Sequence, residues 1–170
     1  RTFRAHTGTT MGTHKWVETQ AYPDVRTPLE KLKNNNYQIV AADTSGEILD
    51  YRSVDFTKPT ALLLGAEKYG ISDQAAGYID QRITVPMMGM VESFNVSVAC
   101  AIILAEARLQ REKAGFYKQR RLSDQRYYRL LFEWTQPLLA AYCQKHDLDY
   151  PALDAKGDIA NPDWRESHTS

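Results

Sequence analysis

Two hydrophobic periods alternate along the chain. Trp16 to Tyr22 alternates apolar and polar positions with the period of a strand, and Pro23 breaks it. Thr27 is placed to cap a helix with Pro28 at its first position, and Leu29 and Leu32 carry that helix to the Asn34-Asn35-Asn36 run. Tyr37 to Ala42 is a short apolar run that predicts a buried strand, with Asp43 to Gly46 as its exit loop. Asp50 to Pro59 reads as a connection with room for one helical turn. Thr60 to Gly65 is the most apolar strand in the chain. Beyond it, Ser72 stands where an N-cap belongs, ahead of a short helix from Asp73 to Ile79.

The stretch from Ile83 to Ala107 organises the rest. A β-branched strand, Ile83 to Val85, ends where Pro86 offers no backbone N–H to the ladder. Met87 to Val91 form a loop around Gly89. A helix follows, with Val98, Ile102, Ala105 and Leu109 at three- and four-residue spacing and either Ser93 or Asn95 as its cap. Small residues at Ser97, Ala99, Cys100 and Ala101 let a neighbouring backbone approach closely. Strands alternating with helices predict an α/β fold with a parallel sheet covered on both faces. A loop between a parallel strand and a helix is where such folds hold ligands. A second helical pattern runs from Ser123 to about Lys145, with Pro137 expected to kink or split it. Asp147 to Ser170 has no periodicity and reads as loop and disorder. The pattern divides the chain into an α/β domain over 1–115 and a C-terminal helical extension over 116–170.

Composition narrows this picture only a little. The 170 residues are 43% apolar and 25% charged, ordinary for a globular protein, and no apolar run reaches membrane-spanning length. Cys100 and Cys143 lie in apolar helical patterns and read as buried thiols of a reducing compartment, which points to the cytoplasm. The four histidines have no carboxylate or cysteine companions at ligand spacing, so no metal is expected. Net charge is zero, so a nucleic-acid partner needs a local basic patch. Arg111 to Arg129 supplies one, with seven basic residues against two acidic ones, interleaved with Phe116, Tyr117, Tyr127 and Tyr128. Basic side chains can hold phosphates there while the rings stack on unpaired bases. The same composition also suits an ordinary solvated helix face.

Two motifs carry the candidate chemistry. Gly65-Ala66-Glu67-Lys68-Tyr69-Gly70-Ile71 leaves a buried strand through a glycine that admits close backbone approach, then offers a carboxylate. Taken alone it is matched equally well by a plain strand-end turn. Downstream stand Val85-Pro86-Met87 and Ser93-Phe94-Asn95-Val96-Ser97-Val98-Ala99. In that order the pair resembles the second and third signature motifs of the SPOUT methyltransferases, in particular the TrmH branch of tRNA ribose methyltransferases, with Phe94 in place of the usual Leu.

The resemblance implies a deep trefoil knot in the C-terminal part of the α/β domain, which general rules of chain connection would not predict. It implies S-adenosyl-L-methionine, held at three strand-end loops by Ala42, Leu64, Gly65, Val85, Met87 and Phe94, with no metal. Glu67, Ser93 and Asn95 match the family's conserved polar positions at the reacting centre. Arg129 to Glu133 and Tyr150 to Ile159 also look like the γ-proteobacterial type, which implies 2′-O-methylation of guanosine 18 in the tRNA D-loop. Arg1, Arg4, Arg108, Arg111, Lys118, Arg120 and Arg121 are the expected RNA contacts, and a homodimer is expected through the helix after Phe94. The family's first motif, Asn-x-x-x-x-x-Arg, assigned to deprotonating the hydroxyl, does not occur. Roughly 50 residues of a typical single-domain relative would precede Arg1, which reads as a fragment. A ribosomal-RNA methyltransferase of the same family and a non-catalytic RNA-binding module stay open on these residues.

Overall fold

A computed structural model describes residues 17, 19–66, 69–89 and 94–164. The chain forms two compact units, Arg1–Tyr117 and Lys118–Ser170.

Among the described residues the first unit is built on a four-stranded parallel sheet: β1 (Gln38–Ala42), β2 (Leu49–Asp50), β3 (Thr60–Leu64) and β4 (Gln81–Thr84), in the order β2-β4-β1-β3. Helices α1 (Arg26–Asn34), α2 (Asp73–Ala76) and α3 (Val96–Lys113) cover it. Alternation along the strands separates two cores. Val40 and Ile83 pack with Val54, Phe56, Ile103 and Ala107 beneath α3. Ile39 packs with Leu29 of α1 and Ala75 of α2 on the opposite face. Helices on both faces of a parallel sheet are what the strand–helix alternation predicts.

Several boundaries differ from the sequence reading, each for a local reason. Trp16 and Glu18 lie outside the described residues, and 19–22 are irregular rather than a strand. Thr27 does not cap α1. The Asp24 carboxylate accepts from the Thr27 amide at 2.8 Å and from its hydroxyl at 3.1 Å, and the helix starts two residues before the expected Pro28, at Arg26. The asparagine run does stop it, with Asn36 at φ 59°. Asp50 to Pro59 is more than a connection. It holds the expected single turn, Tyr51–Ser53, and also sends Val54 and Phe56 into the core. Gln110 fixes this segment to α3, accepting from the Phe56 amide at 2.9 Å and donating to the Val54 carbonyl at 3.0 Å.

The second unit contains α4 (Asp124–Thr135) and α5 (Pro137–Lys145). Ser123 accepts from the Arg126 amide at the start of α4, and Pro137 splits the predicted long helix by occupying the first position of α5. Phe132, Ala140 and Cys143 are buried at its centre. The tail over 147–164 is not disordered. Tyr150 stacks on Phe132 with ring centroids 4.6 Å apart, and its hydroxyl donates to Glu133 and accepts from Gln144. A bridge between Leu153 and Ile159 closes the turn that follows. Cys143 is buried as expected, whereas Cys100 is only partly so. No described helix is long and apolar enough to cross a membrane.

Candidate functional site

Parallel register brings three strand exits together. Ala42 pairs with Leu64 on one side and with Ile83 on the other, so β1, β3 and β4 end level. The exits enclose a cavity of about 190 Å³, closed on its remaining side by Phe94, Val96, Ala99 and Ile103 at the start of α3. Five of the six residues assigned to a cofactor line it: Ala42, Leu64, Gly65, Val85 and Phe94. Met87 does not. It is half-buried in the loop beyond Pro86, next to the fully exposed Met88.

Gly65 has a different reason from the one its sequence context suggests. A Cβ there would stand 2.6 Å from the carbonyl carbon of Gly70, a backbone atom that cannot swing away. The chain folds back at this point. The Ala66 amide donates to the Gly70 carbonyl at 2.9 Å, and the Gly70 amide returns the bond to Ala66 at 2.7 Å. Gly70 takes φ 64°, which a glycine adopts without strain. The glycine at 65 therefore first permits this tight turn, and through the turn sets one wall of the cavity.

The β1 exit supplies the polar wall. Asp43 and Thr44 line the cavity, and neither stood out in the sequence. Asp43 accepts from the Thr44 amide and the Ser45 hydroxyl, both at 2.8 Å, and pairs with Arg82 of β4. Burial pushes the Asp43 carboxyl upward, but the hydrogen bonds from Ser45 and Thr44 and the Arg82 charge outweigh it, and the pKa is lowered. Position relative to strand ends would have found both residues, since each lies directly beyond Ala42.

Asn95 is the N-cap of α3, its side-chain oxygen accepting from the Ser97 amide at 2.8 Å. That settles which of the two candidate caps the helix uses. The bond leaves the Asn95 amide nitrogen to donate elsewhere. Glu67 and Ser93, the other two residues expected at the reacting centre, lie outside the described residues, as do Arg1 and Arg4.

The remaining basic residues fall in both units. In the first, Arg108 is exposed, while Arg111 is half-buried and donates through Nε to the Phe56 carbonyl at 2.9 Å. Arg111 is thus committed in part to holding α3 on its core. In the second, Lys118, Arg120 and Arg121 are exposed. Arg120 pairs with Asp124 and lies over the Tyr127 ring at 4.2 Å, a cation–π contact. Tyr127 in turn meets Tyr128 edge to face.

The second unit also holds a larger cleft, about 930 Å³, bounded by α4, α5 and residues 147–153. Among its described lining residues, Asp147 and Asp149 face a single cation, Arg129, which is itself bonded to Glu133. That balance disfavours phosphate. Its size alone does not make it the site.

Residues 4–105 match the SpoU rRNA Methylase family, and residues 109–162 match the C-terminal region described as SpoU, rRNA methylase, C-terminal. The chain is 40% identical over 156 residues to the tRNA (guanosine(18)-2'-O)-methyltransferase of Escherichia coli K12, covering 90% of this chain and 68% of that protein. It is 45% identical over 128 residues to the enzyme of the same name from Thermus thermophilus, covering 75% and 66%. Among solved structures, the A. aeolicus TrmH/SpoU tRNA modifying enzyme superposes with a TM-score of 0.70 at 37% identity, over 86% of this chain and 70% of that one. The chain therefore spans about two thirds of these relatives.

Proposed function

The chain belongs to the SpoU methylase family, and from that premise we propose that it serves in 2′-O-methylation of guanosine 18 of tRNA, with S-adenosylmethionine as donor. One observation carries the reading: the second and third motifs meet at the level exits of three parallel strands, around one cavity.

The cavity's residues fit the donor. Ala42, Leu64, Val85 and Phe94 offer an apolar slot for a flat ring, and the adjoining exit backbone offers amides and carbonyls to its edge. Met87 belongs to the loop that follows the slot and takes a part outside the wall. When bound, the donor supplies a methyl group on a cationic sulfur, so no metal is needed to activate a leaving group. The protein's own work is to align a ribose hydroxyl and to draw off its proton. In this reading Asn95, with its oxygen engaged in the helix cap, keeps its amide N–H groups for that task. Glu67 and Ser93 take their parts from the family motif, Glu67 as an anchor for the loop or for a basic group.

Lys118, Arg120 and Arg121 in the second unit, and Arg108 and Arg111 in the first, hold tRNA phosphates in this reading, together with Arg1 and Arg4. Exposed rings at Tyr117 and Tyr128 suit stacking on unpaired bases. We also read the fold as the trefoil knot of SPOUT proteins, supported by the insertion of β4 between β1 and β2, both laid down earlier. A homodimer through α3 is supported by Val98, Leu104 and Leu109, which stay 46%, 54% and 44% exposed on a helix otherwise seated on a core. The reducing surroundings suggested by two free thiols suit the cytoplasm.

The test incubates the intact protein with unmodified tRNA and radiolabelled donor, and locates the label by digestion. Label on the ribose of guanosine 18 is expected, and none after Arg120→Ala with Arg121→Ala at high salt. That double variant should also flatten the salt dependence of tRNA binding, by roughly one unit of slope for each phosphate no longer held. Label elsewhere, or an unchanged slope, overturns the respective part.

A further inference from the structure

Arg82 is the one charged residue of β4 (Gln81–Thr84). Its neighbours in sequence, Ile83 and Thr84, line the cavity, while Arg82 itself does not. It is paired in register with Ala41 and by alternation points away from the face that buries Ile83. Its guanidinium reaches around the end of β1 and meets the Asp43 carboxylate, with the Ser45 hydroxyl 3.4 Å from the same nitrogen. The two side chains are only 23% and 16% exposed. The Asp43 amide donates to the Ile83 carbonyl at 3.1 Å, so the same residue is tied to β4 through backbone and side chain alike. Gly46, at φ 83°, turns the loop over the Arg82 stem.

We infer that Arg82 is a positioning residue for donor binding: by clasping Asp43 and Ser45 it holds the β1 exit loop as the polar wall of the cavity, without touching the ligand. The inference rests on the cofactor reading above. Its physical basis is an asymmetry. Asp43 and Thr44 are cavity wall, so any shift of this loop changes the cavity's shape. With Arg82 removed, the largely buried carboxylate keeps its bonds from Thr44 and Ser45 but loses its only countercharge among the described contacts, and it turns toward water because a buried charge without its ionic partner is costly. The backbone of 43 and 44 moves with it. If a tenth of the molecules then keep the competent loop, apparent affinity falls about tenfold. The pair is also neutral as a unit, so it presents no net charge to a cationic donor.

The experiment titrates the intact protein with S-adenosylhomocysteine by calorimetry. That ligand carries a neutral thioether, so its affinity reports wall geometry rather than attraction of a freed carboxylate for a sulfonium. Arg82→Met keeps the apolar stem beneath Gly46 and should weaken binding about tenfold. Arg82→Lys restores charge without the planar fork and should recover part of the loss. In turnover, KM for the donor should rise by the same factor in Arg82→Met, with kcat at saturating donor and tRNA affinity within about twofold of the parent. Asp43→Asn tests the same clasp from the other side and decides the matter if Arg82→Met does not fold. Parent-like affinity in the folded variants, even with a lowered Tm, overturns the inference. So does an equal loss of tRNA and S-adenosylhomocysteine binding. Failure of the parent itself to bind S-adenosylhomocysteine strikes the cofactor reading instead.

Discussion

In the N-terminal unit the cavity is walled by residues at the ends of three hydrogen-bonded parallel strands, closed by one glycine-permitted turn and the start of α3. In the C-terminal unit the cleft is walled by long side chains on two helices and a tail, pinned where Tyr150 stacks on Phe132. A wall carried on strand ends is fixed by register and leaves little freedom to any one of its residues. A wall of side chains shifts with each substitution. The first arrangement suits a ligand that must sit in one geometry for a reaction. The second tolerates change at any one position more readily.

The sharpest way to break this comparison removes one unit and asks after the other. Phe132→Ala deletes the largest buried side chain among the described residues of the C-terminal unit and should cost about 3–5 kcal/mol there. Limited proteolysis should then cut α4 and α5, while S-adenosylhomocysteine binding persists with parent affinity. Loss of both together would show that the two units are one cooperative structure.

The converse comes next in size. Gly65→Ala places a methyl group against the Gly70 backbone and should cost about 1–3 kcal/mol by overpacking, with loss of detectable S-adenosylhomocysteine binding. Protease resistance of the C-terminal unit should not change. Retained binding in Gly65→Ala would mean that the turn is not a wall of the donor site.

These two residues also mark what a sequence can disclose. Gly65 was legible because strand, glycine and turn follow one another in the chain, although its reason, the Gly70 backbone, is a contact made only in the fold. The alternating faces of β1 and the cap at Asn95 were legible for the same local reason. Asp43 with Arg82 was not, since an aspartate after one strand and an arginine within another carry no mutual signal until the register sets them side by side. Tyr150 was hidden differently. Its segment has no periodicity because it is held by one ring stack and two hydroxyl bonds rather than by a repeating face. The expected strand at 16–22 shows the opposite error: alternation from Trp16 to Tyr22 predicts a strand, but its described part at 19–22 pairs with nothing in the described sheet.

The smallest effect sharpens the junction between chemistry and framework. Asn95→Ala removes the cap of α3 and should lower stability by about 1 kcal/mol, read as a fall in urea midpoint with unchanged slope. Asn95→Asp keeps the accepting oxygen and should restore that stability. If methyl transfer stays low in Asn95→Asp, the amide N–H groups have a use beyond the cap. Full recovery of transfer would leave Asn95 a helix cap only.

The order of the sheet also sets a timetable for folding. The central strand β1 finds its neighbour β3 across 22 residues, but must wait for β4 across 41. Loop closure over such distances precedes any gain from pairing, and parallel sheets with distant partners form slowly for that reason. Until β4 arrives, one edge of β1 stands open, with Val40 and Ile39 ready to pair with a strand from another molecule. In contrast, α4 and α5 adjoin in sequence and can assemble early. Newly made chains are therefore most vulnerable to aggregation in the interval before Gln81–Thr84 docks, and a helper that shields strand edges acts there with greatest effect.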